Sequence, residues 1–107
     1  MSQVLHADES SFETEVIQSE MPVLVDFTAT WCGPCKQLEP VLNEIATDYS
    51  NRVKVVKVDI DKAPSVAARF AVMSVPTLLV FQGGNVRDQV VGLVKKKAIA
   101  DRLDRVL

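Results

Sequence analysis

The sequence predicts an α/β fold in which a central mixed β-sheet is covered by helices on both faces. Three observations carry that reading. Apolar runs at 23–27, 53–60 and 77–81 are the right length for core strands and too short for helices. Between them, apolar residues recur at three- and four-residue spacing, the mark of helices with one buried stripe. A hairpin signal and one further helical stripe close the chain, so strands and helices alternate before the sheet turns back on itself. With 107 residues, 48% of them hydrophobic, the chain can fill a core without staples. It holds no repeat, low-complexity stretch or linker, so residues 1–107 read as a single domain.

In order, Val4 and Leu5 form a short edge strand. Phe12, Val16 and Ile17 set a helix over 10–19, with Asp8 or Ser10 as its cap. Pro22 opens the run 23–27, which is apolar on both faces apart from Asp26, as in a central strand covered on both sides. Leu38, Val41, Leu42, Ile45, Ala46 and Tyr49 trace one helix stripe; Pro40 lies inside it and removes one backbone donor. The run 53–60 is β-branched and reads as the second core strand. Pro64 suits the first turn of a short helix ending near Phe70. Residues 77–81 form a strand, Gly83, Gly84 and Asn85 a turn, and 86–91 the antiparallel return. A last helix from Lys96 turns Ile99, Leu103 and Val106 inward.

A charged fraction of 24% and a net charge of −2 give no electrostatic reason to expect nucleic acid or membrane binding. The basic run Lys95, Lys96 and Lys97 reads as a solvated helix start. No apolar run approaches the roughly 18 residues of a membrane span, and the N-terminus lacks a charged segment followed by an apolar one. A cytoplasmic protein is the expectation; a mature organellar protein would look the same.

The two cysteines, Cys32 and Cys35, are the whole supply and sit where a core strand gives way to a long helix. A disulfide closing so short a loop is worth roughly 2 kcal/mol, against roughly 4.7 kcal/mol for a hundred-residue loop, so stapling is the weaker reading. Exchange chemistry needs one thiolate to attack and a second thiol to resolve the mixed disulfide. Three-residue spacing at a helix start puts both sulfurs within bridging reach. It also sets Cys32 beside unpaired backbone N–H groups that favour a thiolate. Cys32 is thus the expected exposed nucleophile, and Cys35 the shielded resolving thiol. Pro34 has neither an N–H nor a charge to offer a thiolate, which predicts a reductant rather than an oxidant or isomerase. Two other readings stand beside this one. Half a zinc site would need four ligands, and His6 is the only histidine. A pair of inert cysteines is the other.

The segment Trp31-Cys32-Gly33-Pro34-Cys35-Lys36 is followed some forty residues later by Val75-Pro76-Thr77. Together with Val25-Asp26-Phe27, Pro40, Lys57, Asp59, Gly84 and Gly92, they make the sequence resemble the thioredoxin family along nearly its whole length. The resemblance implies the thioredoxin fold: a βαβ unit, a connecting helix and a ββα unit, with a cis bond before Pro76. It also implies a protein-disulfide reductase that needs no cofactor or metal. Its partners would be disulfide-containing target proteins and a thioredoxin reductase drawing on NADPH or ferredoxin, and the chain would act as a monomer. Trp31, Gly33, Pro34, Val75, Pro76, Val91 and Gly92 would form an apolar docking surface, with the backbone of Val75 pairing with the substrate; ordinary core is the other reading of the valines and Trp31. Asp26 would exchange a proton with Cys35, near Lys57. A purely structural Asp26–Lys57 pair is equally open at this point. One departure is Thr28, where the family commonly carries tryptophan; it either loosens the site or is a tolerated variant. A binding module that uses the same surface, with redox activity incidental, is the alternative function.

Overall fold

The computed structural model describes residues 3–107; Met1 and Ser2, the start of the segment searched for a leader, lie outside them. Among the described residues, five strands make one sheet in the order β1-β3-β2-β4-β5. These are β1 (Leu5–Ala7), β2 (Val23–Thr28), β3 (Lys54–Asp59), β4 (Thr77–Gln82) and β5 (Asn85–Val91). β1, β3 and β2 run parallel, while β4 is antiparallel to β2 and β5 to β4. Helices α1 (Gly33–Asp48), α2 (Pro64–Arg69) and α3 (Lys96–Val106) complete the order, and the mixed sheet flanked by helices is that of the thioredoxin fold.

The central place of β2 follows from its composition. Its residues 23–27 are all buried, which only a strand paired on both edges and covered on both faces can achieve. Alternation along the strand sends Val23, Val25 and Phe27 to one core cluster with Phe12, Val16, Val56, Val58 and Phe81. Leu24 goes to the other cluster, with Leu38, Leu42 and Ile45 of α1 and Ile99 and Leu103 of α3. Asp26 shares that second side of the strand. Gly83 and Gly84 make the β4–β5 turn with φ of 59° and 79°, the pair of positive angles that a two-residue hairpin turn of matching twist requires.

Two expected elements differ. The edge strand lies one residue later than Val4, at Leu5–Ala7, because its backbone pairs with residues 56–58 of β3. The segment read as a regular helix over 10–19 is instead a short π-helical turn at Glu13–Ile17, where Gln18 N–H donates to the Glu13 carbonyl at 2.8 Å. Asp8 caps the turn that precedes it: its carboxylate accepts from the Ser10 and Ser11 amides at 2.9 and 3.0 Å. Phe12 and Val16 are thereby placed in the core, with Phe12 against Phe70 and Phe81 at ring distances of 5.6 and 5.9 Å.

Candidate active site

β2 ends at Thr28, and a short loop carries the chain to Cys32, the N-cap of α1. Gly33 and Pro34 fill the first turn, where a missing N–H costs nothing. Cys32 and Cys35 are joined in a disulfide with their Cα atoms 5.3 Å apart. The Cys35 amide donates to Cys32 Sγ at 3.2 Å, so the sulfur takes the place that a capping oxygen usually fills. A negative charge on Cys32 would meet that donor and the positive end of α1.

Val75 stands on the other side of the sulfur, with its carbonyl oxygen 3.7 Å from Cys32 Sγ, and the bond to Pro76 is cis. The Gly92 amide donates to the Pro76 carbonyl at 2.8 Å, and Thr77 is in register with Val91, so the start of β4 and the end of β5 are held together there. Trp31, Gly33, Pro34 and Val91 are exposed, Val75 and Gly92 half-buried, and Pro76 buried. Trp31 Nε1 donates to the Asp61 carboxylate at 2.8 Å, a tether that sequence reasoning missed. The expectation that Cys32 itself is exposed is not met. Only 4% of its surface is open, against 1% for Cys35, because Ala29, Ile60 and Val75 pack around the sulfurs.

Asp26 has no exposed surface, and neither carboxylate oxygen has a hydrogen-bond partner among the described residues. Burial pushes its carboxyl from the ordinary 3.8 up to about 7; the Lys57 ammonium pulls the other way, and the Glu39 carboxylate adds to the rise. Lys57 is level with Asp26 on the neighbouring parallel strand, so the two share a face. The structural Asp26–Lys57 pair is nonetheless not formed. Lys57 Nζ instead donates to Glu39 Oε1 at 3.0 Å, reaching across to α1. Glu39 was not singled out in the sequence; its one signal is a position one turn beyond Cys35 on the same helix face.

A sulfur pair that closes within one chain at the mouth of a helix can take two electrons from a dithiol and pass them to another disulfide, and no further group is needed. The class of protein this fold and pair define is a thiol–disulfide oxidoreductase. Comparison with known proteins agrees. The thioredoxin family model matches residues 3–105. Thioredoxin 1 of Synechococcus elongatus is 49% identical over 107 residues, and thioredoxin 1 of Nostoc sp. 46%, each covering 100% of both chains. The thioredoxin of Haemophilus influenzae is 42% identical over 105 residues, 98% of each chain. The chain belongs to the thioredoxin family, and its activity is protein-disulfide reduction. Membership brings with it a reductase and disulfide-bearing targets in general, and chemistry carried by the cysteine pair without a cofactor.

Proposed function

We propose that Cys32 is the attacking thiol and Cys35 the resolving one. Starting from the dithiol, Cys32 thiolate attacks one sulfur of a target disulfide, forms a mixed disulfide and expels the other target sulfur as a thiolate that takes up a proton. Cys35 then loses its proton to the Asp26 carboxylate and attacks Cys32 Sγ. The Cys32–Cys35 disulfide forms, the second target thiol leaves, and two electrons have passed to the target. The observation that carries this assignment is the Cys35 amide aimed at Cys32 Sγ, at 3.2 Å. It supports a thiolate at Cys32 and offers none to Cys35.

Trp31, Gly33, Pro34, Val75, Pro76, Val91 and Gly92 form the docking face for the target chain in this reading. The Val75 carbonyl beside the sulfur, at 3.7 Å, supports backbone pairing with the bound segment. Pro34 supports a reducing rather than an oxidising poise, since it adds no donor or charge to the thiolate. A single-domain monomer working in the cytoplasm, recharged by a thioredoxin reductase drawing on NADPH or ferredoxin, completes the proposal.

Cysteine variants test the order of the two steps. Cys35→Ser should form a stable mixed disulfide with insulin, joined through Cys32 and visible by intact mass. Cys32→Ser should form none and lose insulin reduction. Trapping through Cys35 instead would reverse the assignment. Insulin reduction that persists without both cysteines would remove the pair from the chemistry.

A further inference from the structure

Asp26 is a buried carboxyl with no hydrogen-bond partner, yet a lysine stands level with it one strand away. Its isolation therefore has a cause, and that cause lies on α1. Lys57 could turn inward to Asp26 or outward to Glu39. The inward pair would have to give up the hydration of both charges, a cost that mutual attraction repays only with excellent geometry. The outward pair keeps Glu39 51% exposed and Lys57 15% exposed, and so gives up far less. Other ionisable groups surround the pair: Lys36 and Lys62 line the same cleft as Lys57 and Glu39, and neither forms an ion pair there among the described residues. Asp59, two residues along β3, already accepts from the Asp61 amide at 2.8 Å, and His6 is level with Lys57 on β1, toward the sheet edge. From β4 the residue level with Asp26 is the apolar Leu78.

We propose that Glu39 is a positioning residue of the redox cycle: by holding the Lys57 ammonium outward, it leaves the Asp26 carboxyl without a counter-charge and keeps it a proton carrier for the resolving step. This inference rests on the proton-transfer role given to Asp26 above. The geometry suits it. Cys35 and Glu39 are one turn apart on α1, so the helix presents the resolving sulfur and the carboxylate that restrains Lys57 along one face. Both Glu39 and Lys57 also line two clefts of about 440 and 380 Å³, so water reaches the ion pair from both sides, while Asp26 lines neither cleft. Two effects of Glu39 act in the same direction. Its own charge disfavours ionised Asp26, and its hold on Lys57 withdraws the cation that, among the described residues, favours it.

The test follows the Asp26 carboxyl by carbon-detected NMR titration in the full chain, for the unmodified protein, Glu39→Gln, Lys57→Met and the double variant. Single-turnover reduction of insulin is recorded across pH in parallel, and Asp26→Asn is included. Glu39→Gln should free Lys57 to turn inward and lower the Asp26 midpoint by about one pH unit, about tenfold in proton affinity. The pH limb of insulin reduction should move with it. Lys57→Met should raise the midpoint. In the Lys57→Met background, Glu39→Gln should have less than about half its single effect, because its main route of action is gone. An unmoved midpoint in Glu39→Gln, or an equal effect with and without Lys57, overturns the inference. A pH limb that persists in Asp26→Asn overturns the underlying proton-transfer role instead. A limb that vanishes there, yet does not move in Glu39→Gln, leaves that role standing and removes only the part given to Glu39.

Discussion

The two faces of the sheet are built to different ends. The face toward Phe12, Phe70 and Phe81 is wholly apolar at its centre, with the three rings in mutual contact and valines of β2 and β3 beneath them. The face toward α1 uses the same strands, but it carries Asp26 in place of a hydrophobe, leaves Thr28, Lys57 and Asp59 half-buried, and ends in the sulfur pair. The first face chiefly stabilises the fold, and its rim residues Ile60 and Val75 also pack against the sulfurs. The second gives up stability where the reaction needs a buried acid. That division explains how so small a chain tolerates an unpartnered carboxyl: the opposite face needs no compromise.

The largest effect should come from breaking the apolar face. Phe81→Ala removes a fully buried ring that packs against Phe12 and Phe70 at 5.9 and 5.1 Å, and should cost about 3–5 kcal/mol in denaturant melts. At temperatures where the variant remains folded, its rate of insulin reduction should be unchanged, since the ring lies across the sheet from α1. A loss of rate without loss of stability would mean that the faces are not separable in this way.

Removing the carboxyl from the other face should act in the opposite direction and depend on pH. The Asp26 carboxyl in the fold holds its proton up to about 7, whereas the unfolded chain ionises near 3.8. Below 3.8 both states are protonated and nothing is lost. As pH rises from there, the unfolded state is favoured by its release of the proton, and the loss levels off above about 7, at about 4 kcal/mol on the conversion of about 1.36 kcal/mol per pH unit. Asp26→Ala should therefore be more stable than the parent by up to about 4 kcal/mol at pH 8, with the advantage shrinking toward pH 4, and should reduce insulin more slowly. Urea melts at those two pH values measure it. A variant less stable at pH 8, or an advantage that does not change with pH, would show that the buried acid is not where stability is given up.

The apolar face was the more legible of the two. Runs of valine and leucine at strand length, and stripes at helical spacing, specify strands and helices locally, so β2, β3, β4, α1 and α3 fall within a residue or two of where the pattern puts them. The first helical segment differs from its pattern in form: Asp8 makes its turn with Ser10 and Ser11 ahead of the apolar repeat, and the segment closes as a π-helical turn at Glu13–Ile17, a choice the four-residue spacing of Phe12 and Val16 does not distinguish from an α-helix. On the other face, the cysteines and Asp26 could be singled out because each is chemically out of place in its run. Glu39 and Asp61 could not. Each is one acidic residue on a polar surface, and only the register of β2 with β3, together with the path of α1 across them, brings Glu39 to Lys57. The packing of Ala29, Ile60 and Val75 over Cys32 is likewise a product of three separate segments.

The smallest expected effect concerns the rim where the two kinds of face meet. Thr28 closes β2 on the same side as Leu24 and Asp26, is half-buried, and lines the cleft of about 440 Å³ together with Ala29, Lys36 and Asp59. A larger ring fits there without displacing the core, since the cleft is already open. Thr28→Trp should bury apolar surface along that wall and raise stability by about 1 kcal/mol, well under the value of a fully enclosed side chain because one side of the cleft faces water. It should leave the cysteine pair able to reduce insulin, because Thr28 precedes the loop to Cys32 and the substitution leaves both cysteines in place. Thermal melts and insulin reduction, measured on the same preparation, decide it. A destabilised variant would mean that the cleft is shaped by its charged walls and not by the missing ring, which would extend the polar character of the α1 face one residue further than Asp26.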